Sequence, residues 1–177
     1  EDHFKSGGVF PIPKAKIGRI ARLAGLDGKN KMSKSLNNAI FLYDTEKEVQ
    51  KKINRITTGR QSPTEPGDVT NILMQYVDAF IGSHDEPRAA EIKRRYAAGD
   101  NLGDGHVKAE LGEAINKLLA PMRERRAKLD GADGDAIVHD VIRRGVKKAN
   151  LVAEETLYDA KKAMRLEFGK RVVVPHS

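Results

Sequence analysis

Residues 68–80 read DVTNILMQYVDAF, and Val69, Ile72, Leu73, Tyr76, Val77 and Phe80 recur there at helical spacing. That period lays one apolar stripe along an α-helix and lacks the strict alternation of a half-buried strand. Asp68 stands where an N-cap is wanted. Downstream the pattern repeats. Asp85 and Pro87 open a shorter helix that ends near Gly99. Val107, Leu111, Ile115, Leu118 and Met122 mark a long helix, with a bend expected at Pro121, whose ring removes a backbone donor. A last helix is predicted from near Asp135, carrying Val138, Ile142, Val146, Ala149, Ala153, Leu157, Ala160 and Met164 toward Phe168. Gly145 inside it predicts a break or a close helix crossing.

Upstream, Asp44 or Thr45 caps a helix with Glu46 and Glu48 in its first turn and Lys51, Lys52 and Arg55 later, an order that suits the helix dipole. The residues before it look different. VFPIPKAKIGRI, residues 9–20, is interrupted by Pro11 and Pro13, so it is extended or an edge strand. AIFLYD, residues 39–44, is a short apolar run expected as a buried strand or the wall of a core. The expected fold is mainly α, a helical bundle behind a short α/β remnant.

An apolar fraction of 39% in 177 residues is enough to build a core. With no long apolar run and no leader pattern, the expectation is a soluble cytoplasmic protein with no membrane partner. The absence of cysteine excludes disulfides and thiolate metal sites. His3, His84, His106, His139 and His176 show no ligand spacing, so no metal cage is expected. Asp130, Asp133 and Asp135 superficially suggest a calcium loop but lack its bidentate Glu, and an Asp/Gly turn between helices is expected instead. The net charge of +7 suits a polyanionic partner, because Lys and Arg displace counterions from phosphates.

One loop concentrates chemistry. GLDGKNKMSKSLNNAIFL, residues 25–42, places Lys29, Lys31 and Lys34 within six positions and then turns apolar. A Walker phosphate loop fails here, since Asn30 follows Gly28-Lys29. What stands is KMSKS, Lys31 to Ser35, which resembles the signature loop of the class I aminoacyl-tRNA synthetases. GLDG before it and the apolar segment and helix after it are similar to that family too. PGDVTNIL, VKAELGEAINKLLAPMRERR and GVKKANLVAEETL resemble the helical C-terminal domain of the tryptophanyl-tRNA synthetases, so the resemblance runs from about Val9 to Leu166.

The resemblance implies residues 1–44 as the end of a Rossmann-like α/β catalytic domain and 45–177 as a helical anticodon-binding domain. It implies ATP, with Mg²⁺ carried in the substrate complex, bound by Leu23, Lys31, Met32, Ser33, Lys34 and Ser35. Lys31 and Lys34 are then the catalytic pair: Lys34 is the main phosphate contact, and Lys31 supports it. The other implied partners are tryptophan, tRNA(Trp) and a second copy in a homodimer. The family's other signature, a His-Ile-Gly-His-like stretch, is absent, as is the tryptophan pocket. The chain therefore reads as the C-terminal half of such an enzyme, inactive alone. Alternatives are a non-catalytic, synthetase-derived tRNA- or protein-binding module, or the tyrosyl-specific relative.

For tRNA, two basic clusters are the candidates: Arg123, Arg125 and Arg126 beside Pro121, and Arg143, Arg144, Lys147 and Lys148. With four Tyr and five Phe in the chain, several inside core stripes, stacking platforms for bases are few.

Overall fold

The computed structural model describes residues 8–166. Five α-helices follow one another: α1 Glu46–Asn54, α2 Ile72–Tyr76, α3 Glu86–Ala98, α4 Asp104–Ala127 and α5 Ala132–Ala163. A π-helical turn, Val77–Ile81, extends α2. Among the described residues there is no strand, only an isolated antiparallel bridge from Ala24 to Lys31. The mainly α expectation holds. AIFLYD is not a strand: Ala39 is buried and Ile40 lies against the core, but Leu42 and Tyr43 face solvent. Residues 41–44 turn instead, because the buried Asp44 carboxylate accepts from Phe41 N at 2.7 Å and draws the chain back.

Two compact units are present, and each holds together on its own terms. Ile17–Lys128 contains α1 to α4 and the lysine loop. Its core joins Val49 and Ile53 of α1, Leu73 and Tyr76 of α2, Ile92 and Tyr96 of α3, and Val107, Leu111, Ile115 and Leu119 of α4. In α4 the apolar row turns inward at Leu119, while Leu118 is left exposed. The expected Leu118 was one residue off the buried face. Helix α4 continues through Pro121 to Ala127. Pro121 lies outside the buried row, so its missing donor costs the helix less than it would in the packed stretch.

Caps set the starts of the helices. Thr45 is the N-cap of α1 and forms a full capping box with Glu48: Glu48 N donates to the threonine hydroxyl, and the Glu48 carboxylate accepts from Thr45 N at 2.8 Å. The bond from Thr45 N, and after it one donated by the Thr45 hydroxyl to the same carboxylate, lower the Glu48 pKa below its ordinary value. Thr45→Ala is expected to lower the stability of this unit by about 1 kcal/mol, read from the midpoint of a urea melt. A change below a few tenths would mean that the cap contributes nothing. Asp68 does not cap α2. Its carboxylate accepts from Thr70 N at 2.7 Å in a local turn, and Asn71 caps α2 by accepting from Met74 N at 3.0 Å. Asp85 caps α3, and Gly99 ends it in the left-handed region at φ 66°. A side chain at Gly99 would also run into the Thr64 carbonyl oxygen at 2.4 Å.

Of the described residues, the second unit takes in 8–16 and 129–166. Here α5 starts at Ala132, earlier than expected, and runs unbroken through Gly145, which has nothing within 4 Å of a built Cβ. Neither a break nor a close crossing occurs there. The periodic stripe of α5 is not core. Of the stripe, Ile142, Val146 and Leu157 are all more than half exposed, and Gly134 is the buried residue of the helix. Phe168 lies outside the described residues.

Candidate functional site

The loop from Gly25 to Asn38 is built on a hydrogen-bonded base. Gly25 N donates to Asn30 O at 2.7 Å, and Leu26 N to Asn38 O at 2.8 Å, which pins both stems together. The turn between them is closed by Asp27, whose carboxylate accepts from Lys29 N at 3.1 Å, Asn30 N at 3.2 Å and Asn38 Nδ2 at 3.1 Å. The Lys29 backbone bond foremost, with the bonds from Asn30 and Asn38, holds the Asp27 pKa down at about 2, against the opposing effect of desolvation. Asp27 is therefore ionised at neutral pH.

The base is also tied to the helices. Tyr76, fully buried in α2, donates its phenol hydrogen to the Ala24 carbonyl at 2.8 Å. Burial, and secondarily the charge of Asp27, push the Tyr76 pKa above its ordinary value, so this donor stays protonated. Leu23, Met32 and Ile40 lie against the same core. Leu23 and Met32 thus have their side chains facing the core.

The tip is polar and open. Lys34 to Asn37 turn on themselves, with Asn37 N donating to Lys34 O at 3.2 Å and Asn37 at φ 50°. Ser33 and Ser35 share a hydrogen bond at 2.9 Å. Lys29, Lys31, Lys34 and Ser35 are exposed, and among the described residues none of the three lysines has an ion-pair partner. The Lys31 and Lys34 ammonium groups and the Ser33 and Ser35 hydroxyls, presented from a braced base, match the donor set that a phosphate chain requires.

Residues 2–120 match the model of the family described as tRNA synthetases class I (W and Y). The chain belongs to that family. It is 40% identical over 172 residues to the tryptophan–tRNA ligase of Treponema pallidum, a match covering 96% of this chain and 50% of that protein. The tryptophan–tRNA ligase of Lactococcus lactis is 36% identical over 166 residues, covering 92% of this chain and 47% of the relative. In three dimensions the chain resembles the Campylobacter jejuni tryptophanyl-tRNA synthetase complexed with ADP and tryptophan, with TM-score 0.67 and 29% identity over 90% of this chain and 49% of that one. This family member thus spans about half the length of the relatives it matches.

The basic clusters are used unequally. Arg123 spends its donors inside the first unit: Nε donates to Asp44 O at 2.7 Å and Nη2 to Asn116 Oδ1 at 2.8 Å, bracing α4 against the entry to α1. Its remaining nitrogen is buried, 4.0 Å from Glu46. Arg125 and Arg126 are exposed on the last turn of α4. On α5, Arg143 and Arg144 both reach Asp140, at 2.9 and 2.8 Å, and remain 83% and 70% exposed. Ion pairs this open are weak and readily exchanged for a phosphate. Lys147 and Lys148 continue the exposed row one turn on. Asp133 and Asp135 lie in the first turn of α5, where acidic side chains suit the helix dipole. Asn38, Asp27 and Tyr76 are the site's unforeseen members. The Asp-Gly turn signal could have flagged Asp27, but nothing local in the sequence announces a buried Asn or the phenol's partner.

Proposed function

We propose that this chain is part of a tryptophan–tRNA ligase, which activates tryptophan with ATP and transfers it to tRNA(Trp). In it, Lys31 to Ser35 supply the clamp on the ATP phosphates, and the helices supply tRNA contacts. The observation that carries the proposal is a complete Lys-Met-Ser-Lys-Ser loop, braced at its base and with unpaired lysines, in a chain whose relatives bear that ligase name across nine-tenths of its length. Residues 1–44 belong to the nucleotide side and 45–177 to the tRNA side. The division is one of role, since Leu26 and Tyr76 share one core.

When tryptophan's carboxylate attacks the α-phosphate, charge builds on the departing pyrophosphate. Lys34, on the exposed tip, meets that charge with an ammonium group, and Lys31 supports it. Ser33 and Ser35 offer hydroxyls, and the main chain of Leu23 and Met32 faces the adenine. Mg²⁺ would arrive with the nucleotide, held by phosphates and water rather than by this chain. Among the described residues no cluster of three metal-ligating side chains exists, and no helix is long and apolar enough to cross a membrane. The cytoplasm and a homodimer complete the proposal.

ATP–pyrophosphate exchange tests it. The full-length synthetase carrying this chain should exchange with tryptophan and not with tyrosine, and the chain alone with neither. Preference for tyrosine would overturn the assignment. A second measurement addresses tRNA. Binding through about four phosphate contacts should weaken roughly 50-fold between 50 and 200 mM salt. Neutralising Arg143, Arg144, Lys147 and Lys148 with Gln should flatten that slope. An unchanged slope would remove α5 from the tRNA interface.

A further inference from the structure

We propose that Asn38 is a positioning residue for the nucleotide clamp: its buried side-chain amide fixes the backbone from which Lys31, Ser33 and Lys34 project. The inference rests on the clamp role given to that loop. Asn38 is only 4% exposed, and apart from Asp44 it is the buried polar side chain among the described residues. Burying an amide is unfavourable unless its polar atoms are partnered. Here they are. Nδ2 donates to Asp27 Oδ2 at 3.1 Å and to the Lys31 carbonyl at 3.2 Å, while Oδ1 accepts from Ser33 N at 2.8 Å.

That set of partners defines the orientation. Flipping the amide would set its oxygen against a carboxylate and a carbonyl, and its NH₂ against the Ser33 N–H. Only an amide joins two acceptors on one side to a donor on the other. The main-chain oxygen of Asn38 takes Leu26 N as well, so one residue ties the Gly25–Asp27 turn to the first half of the signature. Room for it comes from Gly25: a Cβ there would stand 2.2 Å from Asn38 Nδ2 and 2.6 Å from its Cγ. The side chain points inward, away from the exposed lysines, so it acts on a ligand through the loop alone.

Two substitutions isolate this role. Asn38→Asp is nearly isosteric and keeps the acceptor for Ser33 N, but it turns an oxygen toward Asp27 and the Lys31 carbonyl. Gly25→Ala leaves Asn38 in the chain and expels its amide from the socket. In the full-length synthetase, each should slow adenylate formation at least tenfold per active site, counted by burst amplitude, with KM for ATP changed less than threefold. Adding Asn38→Asp to Lys34→Ala should cost clearly less than Asn38→Asp costs alone, because Lys34, the main phosphate contact it positions, is already gone. A residue that merely supported folding would lower the burst amplitude and multiply with Lys34→Ala. Full activity in Asn38→Asp, or multiplicative effects, would overturn the inference while a slow Lys34→Ala left the clamp intact. A fully active Lys34→Ala would overturn both.

Discussion

Replacing Lys34 by alanine in the full-length synthetase is expected to slow tryptophanyl-adenylate formation about a hundredfold while weakening ATP binding only slightly. The asymmetry follows from when the charge appears. In the ground state the triphosphate is already neutralised in part by its metal and by water, so one exposed ammonium adds little. As pyrophosphate leaves, new negative charge forms where the loop tip can meet it, and an interaction made only then lowers the barrier directly. Loss of one well-placed charged contact costs about 3 kcal/mol, which is on the order of a hundredfold in rate. Lys29 is the internal control. Its backbone N–H serves the Asp27 turn, a bond that alanine retains, and its side chain is exposed outside the five-residue signature. Lys29→Ala should therefore change the rate less than threefold. Rapid-quench measurement of adenylate formation gives both values, and equal small effects would leave the loop without a catalytic role.

The helices and several of their ends were legible in the sequence, whereas competing local turns and the contacts made by distant partners were not. The start of α1, offered as Asp44 or Thr45 and found at Thr45, and the Asp85 and Gly99 ends of α3 are local, so residue type and spacing sufficed. Asp68 misled because two capping side chains, Asp68 and Asn71, stand three residues apart. The nearer one to the helix took the cap, and the other closed a turn. AIFLYD misled because composition cannot register Asp44, whose burial bends the run back on itself. At the site, the signature loop was plain, but its supports were not. Tyr76 reaches Ala24 across 52 positions, and to the eye it is one more member of an apolar stripe. Asn38 looks like ordinary loop polarity until the structure shows it buried with both ends of its amide hydrogen-bonded.

The stripe on α5 repeats as regularly as the stripe on α4, yet the two should respond oppositely to the same truncation in this chain. Leu111→Ala removes a side chain with no exposure from a helix packed against α1 and the π-turn. It should cost about 3 kcal/mol, the lost transfer energy plus the cavity left among neighbours that cannot all close in. Ile142→Ala removes a side chain that is 58% exposed and already largely hydrated. Little burial is lost, and alanine is the better helix former by a few tenths of a kcal/mol, so the change should fall within about 0.5 kcal/mol and can be slightly stabilising. Urea melts by circular dichroism, run at equal and low protein concentration, measure both. A loss of 2 kcal/mol or more at Ile142 would mean that the α5 stripe is packed in solution, and helical periodicity alone would then have located core as well as helix.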